Sequence, residues 1–83
     1  MTNKLISQFD AEELAKTVLQ NFVDACHCQN TQDVANVLMK VCSVAGVMMC
    51  AVVGQTEAVQ RIDGTADFIA KQKFGKFHKE TIQ

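Results

Sequence analysis

Over residues 14–26 the apolar positions Leu14, Val18, Leu19, Phe22, Val23 and Cys26 recur at spacings of three and four. Glu12, Lys16, Gln20 and Asp24 lie on the other side. This is the period of a helix with one buried and one wetted face. Its start is marked at Asp10, whose carboxylate can accept a hydrogen bond from an early helical N–H. Glu13 stands where it can reach back, and Phe9 where it can staple onto Leu14. The stretch 26–30 closes the pattern, so the first predicted helix covers 10–27. Asn30 can cap a second helix, with Asp33 placed early where the helix dipole favours an anion. So short a connection predicts antiparallel neighbours, an αα-hairpin.

The second helix carries a longer pattern. Val34, Val37, Leu38, Val41, Ala45, Met48, Met49, Val52 and Val59 share one side at 100° per residue, the side expected to meet the first helix through Leu14, Val18 and Phe22. Across 44–53 no side chain is strongly polar, so the helix turns apolar all round and one amphipathic neighbour can cover only part of it. A second stripe follows: Val44, Val47, Ala51, Gly54, Ala58 and Ile62, small in its middle, where another helix could approach closely. It is the expected seam of a homodimer or higher even oligomer; the other cover open to it is the chain's own C-terminal segment. Gly54 followed by Gln-Thr-Glu could end the helix, with Thr56 capping a third, but an interior Gly costs only about 1 kcal/mol, and the favoured reading runs the helix past Gly54 to span 31–63. Gly64 would then be its left-handed cap, and Thr65 would open a short helix containing Phe68 and Ile69. The predicted organisation is a single helical domain over 1–74 and a basic tail over 75–83.

Composition reinforces the all-α reading. The 83-residue chain has no Pro and four Gly, too little turn punctuation for a β domain. It has no Trp or Tyr and five Phe, so Val, Ala, Met, Leu and Cys must fill a thin core. A chain this short buries a small fraction of its surface, and a second subunit is an expected source of added stability. Charge is divided. Residues 1–70 hold four cations against eight carboxylates, and residues 71–83 hold four lysines against Glu80. The first residues lack an apolar signal segment, and the apolar run 41–54 falls short of the roughly 20 residues that cross a bilayer. A cytoplasmic protein with no membrane partner is the expectation.

Candidate chemistry is sparse. Cys26, His27 and Cys28 could join Cys42 or Cys50 around a metal, but the first two thiols are one residue apart and the others have no close pair. Reduced thiols, no metal and no cofactor are expected. A thiolate nucleophile is disfavoured too, because neighbouring side chains at a helix end point apart and the negative end of the dipole raises a thiol pKa. Phosphate loops and hydrolase motifs are missing, and no enzyme is expected. In the C-terminal segment Lys71, Lys73, Lys76 and Lys79 alternate with Phe74 and Phe77, a pattern able to attract phosphate and stack on bases. The reading reached from the sequence is a non-enzymatic, oligomeric helical protein that binds or inhibits another protein. The alternative is a binder of nucleic acid or a small anionic nucleotide through that basic segment.

Overall fold

The computed structural model describes residues 4–74. Among these residues it contains three helices and no strand: α1 (Gln8–Ala25), α2 (Thr31–Val53) and α3 (Gln55–Lys71). The class is therefore all-α. The chain falls into two compact units, Met1–Leu38 and Met39–Gln83.

In the first unit α1 starts and ends two residues before the predicted bounds. Ser7, not Asp10, is the cap: its hydroxyl accepts from the Asp10 N–H at 3.0 Å, and its carbonyl accepts from the Ala11 N–H. A Ser cap with an acid three residues on is as good a start signal as the one expected at Asp10. The Glu13 carboxylate turns to Lys16 at 3.1 Å, and Phe9 and Leu14 are both exposed. At the other end the Cys26 N–H is shared between the Phe22 and Val23 carbonyls, and His27 takes the left-handed conformation that stops the helix, φ 55°. Asn30 caps α2 as expected. Its side-chain oxygen accepts from the Asp33 N–H at 2.8 Å, and the Asp33 carboxylate accepts in return from the Gln29 N–H at 2.9 Å.

The face predicted for α1 is displaced. Leu14, Val18 and Phe22 remain exposed, whereas Ala11, Leu19 and Val23 are half-buried, together with Val34, Val37 and Leu38 of α2. The apolar residues of α1 occupy two adjoining arcs about 100° apart, and the fold shelters the second. Val41 and Met48, expected opposite α1, belong to the second unit.

The second unit overturns the long helix over 31–63. Helix α2 stops at Val53, Gly54 turns the chain with φ 93° and ψ 156°, and α3 begins at once. Gly64 is an interior residue of α3 rather than a cap, and the short helix expected from Thr65 is the second half of α3. The corner conformation lies in a region that essentially only Gly enters. What it gains is packing: Ala58 becomes fully buried, the only described residue that does. A Cβ placed on Gly46 would stand 3.1 Å from the Ile62 Cδ1, so Gly46 is the residue that lets α3 come close. Gly46 and Ile62 are each eight residues from Gly54, the register of a chain folded back on itself.

Candidate functional site

The chemistry that the sequence could have hidden does not assemble. Among the described residues no three His, Cys, Asp or Glu side chains converge to hold a metal ion. Cys26, Cys28, Cys42 and Cys50 are free thiols. Burial pushes the Cys28 thiol above its ordinary range, and Cys26 and the Asp33 carboxylate add to the effect. A thiol held neutral in this way is a poor nucleophile.

The surface that does assemble is apolar and belongs to the second unit. Between α2 and α3 runs an open groove of about 430 Å³, lined by Cys42, Gly46, Val47, Cys50, Ala58 and Ile62 among others. On another face of α2 lies a groove of about 360 Å³, with Met48, Met49 and Val52 along one side and Arg61 reaching it from α3. Arg61 is also tied to Glu57 at 2.7 Å, which holds its guanidinium over α3.

The predicted seam is divided by this arrangement. Val47, Ala58 and Ile62 share the first groove, Gly54 is the corner, and Val44 and Ala51 lie exposed on α2. The six residues therefore do not form one line along one helix. Their apolar side chains are nonetheless open to solvent except at Ala58: Val44 is 58% exposed, Val47 71% and Ile62 43%. Met39, Cys42, Ser43, Gly46, Cys50 and Val59 complete the groove and were missed as site residues. The available signal was Gly46, a small residue in an apolar helix with Cys42 and Cys50 one turn away on either side.

Helix α2 as a whole is long and apolar enough, by length and composition, to cross a membrane. Residues 41–53 of the apolar run read from the sequence thus belong to a 23-residue helix. Lys40, however, stands two residues from its midpoint, and a cation near the centre of a span costs about 2.5–3.5 kcal/mol. Of the basic segment, Lys71 closes α3 and pairs with Asp67 at 2.9 Å, and Phe74 is exposed, as is Lys73. Lys76, Phe77 and Lys79 lie outside the described residues.

Compared with known protein families, curated proteins and solved structures, the chain shows no match to any of them.

Proposed function

We propose that the chain is a non-enzymatic helical interaction module that self-associates through the α2–α3 surface and binds or inhibits another protein. One observation carries the reading: among the described residues a single alanine is fully buried, while Val44, Val47, Met48 and Val52 stand open on one helix. A contiguous apolar surface of this kind marks an interaction site or an aggregation hazard. A two-fold contact needs only one self-complementary patch. The nucleotide-binding alternative has less behind it, because Lys71 already answers the Asp67 carboxylate.

Light scattering of the purified chain, alone and as Ala51→Glu, tests the reading. Ala51 is exposed in the folded chain, so the new carboxylate meets solvent in a lone monomer and an apolar partner in an assembly. The expected result is an oligomer at micromolar concentration that Ala51→Glu converts to monomer. Gln20→Glu on α1 should leave it intact. A stable monomer throughout the concentration range would overturn self-association.

A further inference from the structure

We propose that Cys26 and Cys28 are a paired-thiol site at the turn between α1 and α2, which a peroxide-class oxidant converts into an intrachain disulfide. The site lies in the first unit and does not depend on self-association through the α2–α3 surface.

The backbone brings the pair together. On a continuous helix, residues two apart stand about 200° from each other. Cys26 still has the helical conformation, φ −79° and ψ −12°, but His27 bends the chain with the opposite hand, φ 55°. A helical bend of either hand sets the flanking Cα atoms about 5.5 Å apart, well inside the range of roughly 4.4–6.8 Å that a disulfide spans. The bend is tied on both sides. The His27 N–H donates to the Asp24 carbonyl at 3.3 Å, and the His27 carbonyl accepts from the Gln29 side chain at 2.9 Å. Neither bond uses a sulfur, so joining the sulfurs need not break them. The two thiols also sense each other: after burial, Cys26 is the next cause that raises the Cys28 thiol. The other two cysteines offer no such pair. Cys42 and Cys50 line one groove but stand eight residues apart on α2, about 12 Å along its axis, beyond the reach of a disulfide.

Exposure sets the order of events, since Cys26 is exposed and Cys28 half-buried. The Cys26 thiolate attacks one peroxide oxygen, the O–O bond breaks, and the departing hydroxide takes up a proton to leave as water. Cys26 is then a sulfenic acid. This step also removes the Cys26 charge that opposes ionisation of Cys28. The Cys28 sulfur next attacks the Cys26 sulfur, the S–O bond breaks, and the hydroxyl leaves as water with the Cys28 proton. In sum, two thiols and one hydrogen peroxide give one disulfide and two waters, the sulfur pair losing two electrons to the peroxide. The product closes a ring across His27 and holds its left-handed conformation.

Mass spectrometry of the full folded chain after equimolar hydrogen peroxide tests the site. The expected product is two hydrogens lighter, with the loss confined to the peptide that contains residues 26–28. Cys42 and Cys50 remain open to alkylation, and dithiothreitol restores the starting mass. In Cys28→Ser the sulfenic acid has no partner, so its capture at Cys26 by dimedone should rise about tenfold or more over the wild type. Equilibration with glutathione disulfide measures the contribution of the turn. The intrachain disulfide should form about tenfold more readily in the native chain than in denaturing guanidinium chloride, because the bend is already set. Sulfinic acid at Cys26 without the linked form, a disulfide between copies, or a link to Cys42 or Cys50 overturns the proposal. Equal formation in denaturant overturns it as well, by assigning the pairing to sequence proximity alone.

Discussion

The turn between α1 and α2 and the corner between α2 and α3 differ in how they treat the backbone groups that every helix end leaves bare. In the first, local side chains do the work. Asn30 accepts from the Asp33 N–H, Asp33 returns the bond to the Gln29 N–H, and the Gln29 side-chain amide donates to the His27 carbonyl at 2.9 Å. Each bond spans four residues or fewer, so the turn is specified by its own sequence and needs no distant contact. In the second, no side chain caps α3, and the single connecting residue sits where only Gly is at ease. That corner is held by what it brings together, Ala58 and Ile62 against α2, and has no local chemistry of its own. The first turn should resist a change of partner or solvent.

This contrast is broken most directly at Asn30. Asn30→Ala removes the acceptor for the Asp33 N–H and should cost about 1 kcal/mol, within a range of roughly 0.5–2. Thr56→Ala, at the start of α3 where no side-chain cap exists, should cost only a few tenths. Thermal melts followed by circular dichroism compare the two. Equal losses would mean that the turns are not held by different means.

A smaller effect of opposite sign is expected at His27, which closes α1 at φ 55°. Non-glycine residues are uncommon there, though His is among the more tolerant. Its N–H and carbonyl, not its ring, make the turn's hydrogen bonds, to the Asp24 carbonyl and from Gln29. His27→Gly keeps both and relieves the backbone, so it should stabilise the chain by about 0.5–1 kcal/mol. A lower melting temperature in this variant would assign the imidazole a contact that the geometry does not show.

The same contrast explains which parts of the molecule could be read from the sequence. The second helix start was legible at Asn30 and Asp33 because capping acts over three residues and leaves its signature in the chain. The break at Gly54 was legible only as the less favoured of two options, since the apolar spacing continues in phase through it and a helical Gly costs only about 1 kcal/mol. The close approach of Ile62 to the small Gly46 decides the matter, and that is a contact between residues 16 apart in sequence. The face of α1 failed for a different reason. Its two apolar arcs both satisfy helical spacing, and choosing Leu19 and Val23 over Leu14 and Val18 is again a matter of packing. Of the six residues expected on one seam, Val47, Ala58 and Ile62 line the intrachain groove between α2 and α3 and Val44 and Ala51 do not, because the helix breaks at Gly54. Composition makes Cys a core filler, whereas Cys42 is exposed and Cys50 half-buried.

The smallest expected effect concerns the pH response of the well-capped turn, through Cys28. Burial is the main cause that raises its thiol pKa, followed by Cys26 and the Asp33 carboxylate, the same carboxylate that closes the capping pair. The raised pKa means that the folded turn prefers the neutral thiol. Its contribution is complete below the ordinary thiol range and fades as pH rises through that range to the raised value. Alkylation follows the thiolate, so Cys28 should react with iodoacetamide along a profile displaced toward alkaline pH relative to a cysteine in an unstructured peptide. Asp33→Asn keeps an oxygen to accept from the Gln29 N–H and removes the charge. It should therefore move the profile back toward lower pH, though not to the peptide value, because burial remains. Mass-spectrometric rates at the Cys28 peptide from pH 7 to 10 provide the measurement. A profile that does not move with Asp33→Asn would separate the thiol from the cap and leave the turn without an electrostatic link between the two.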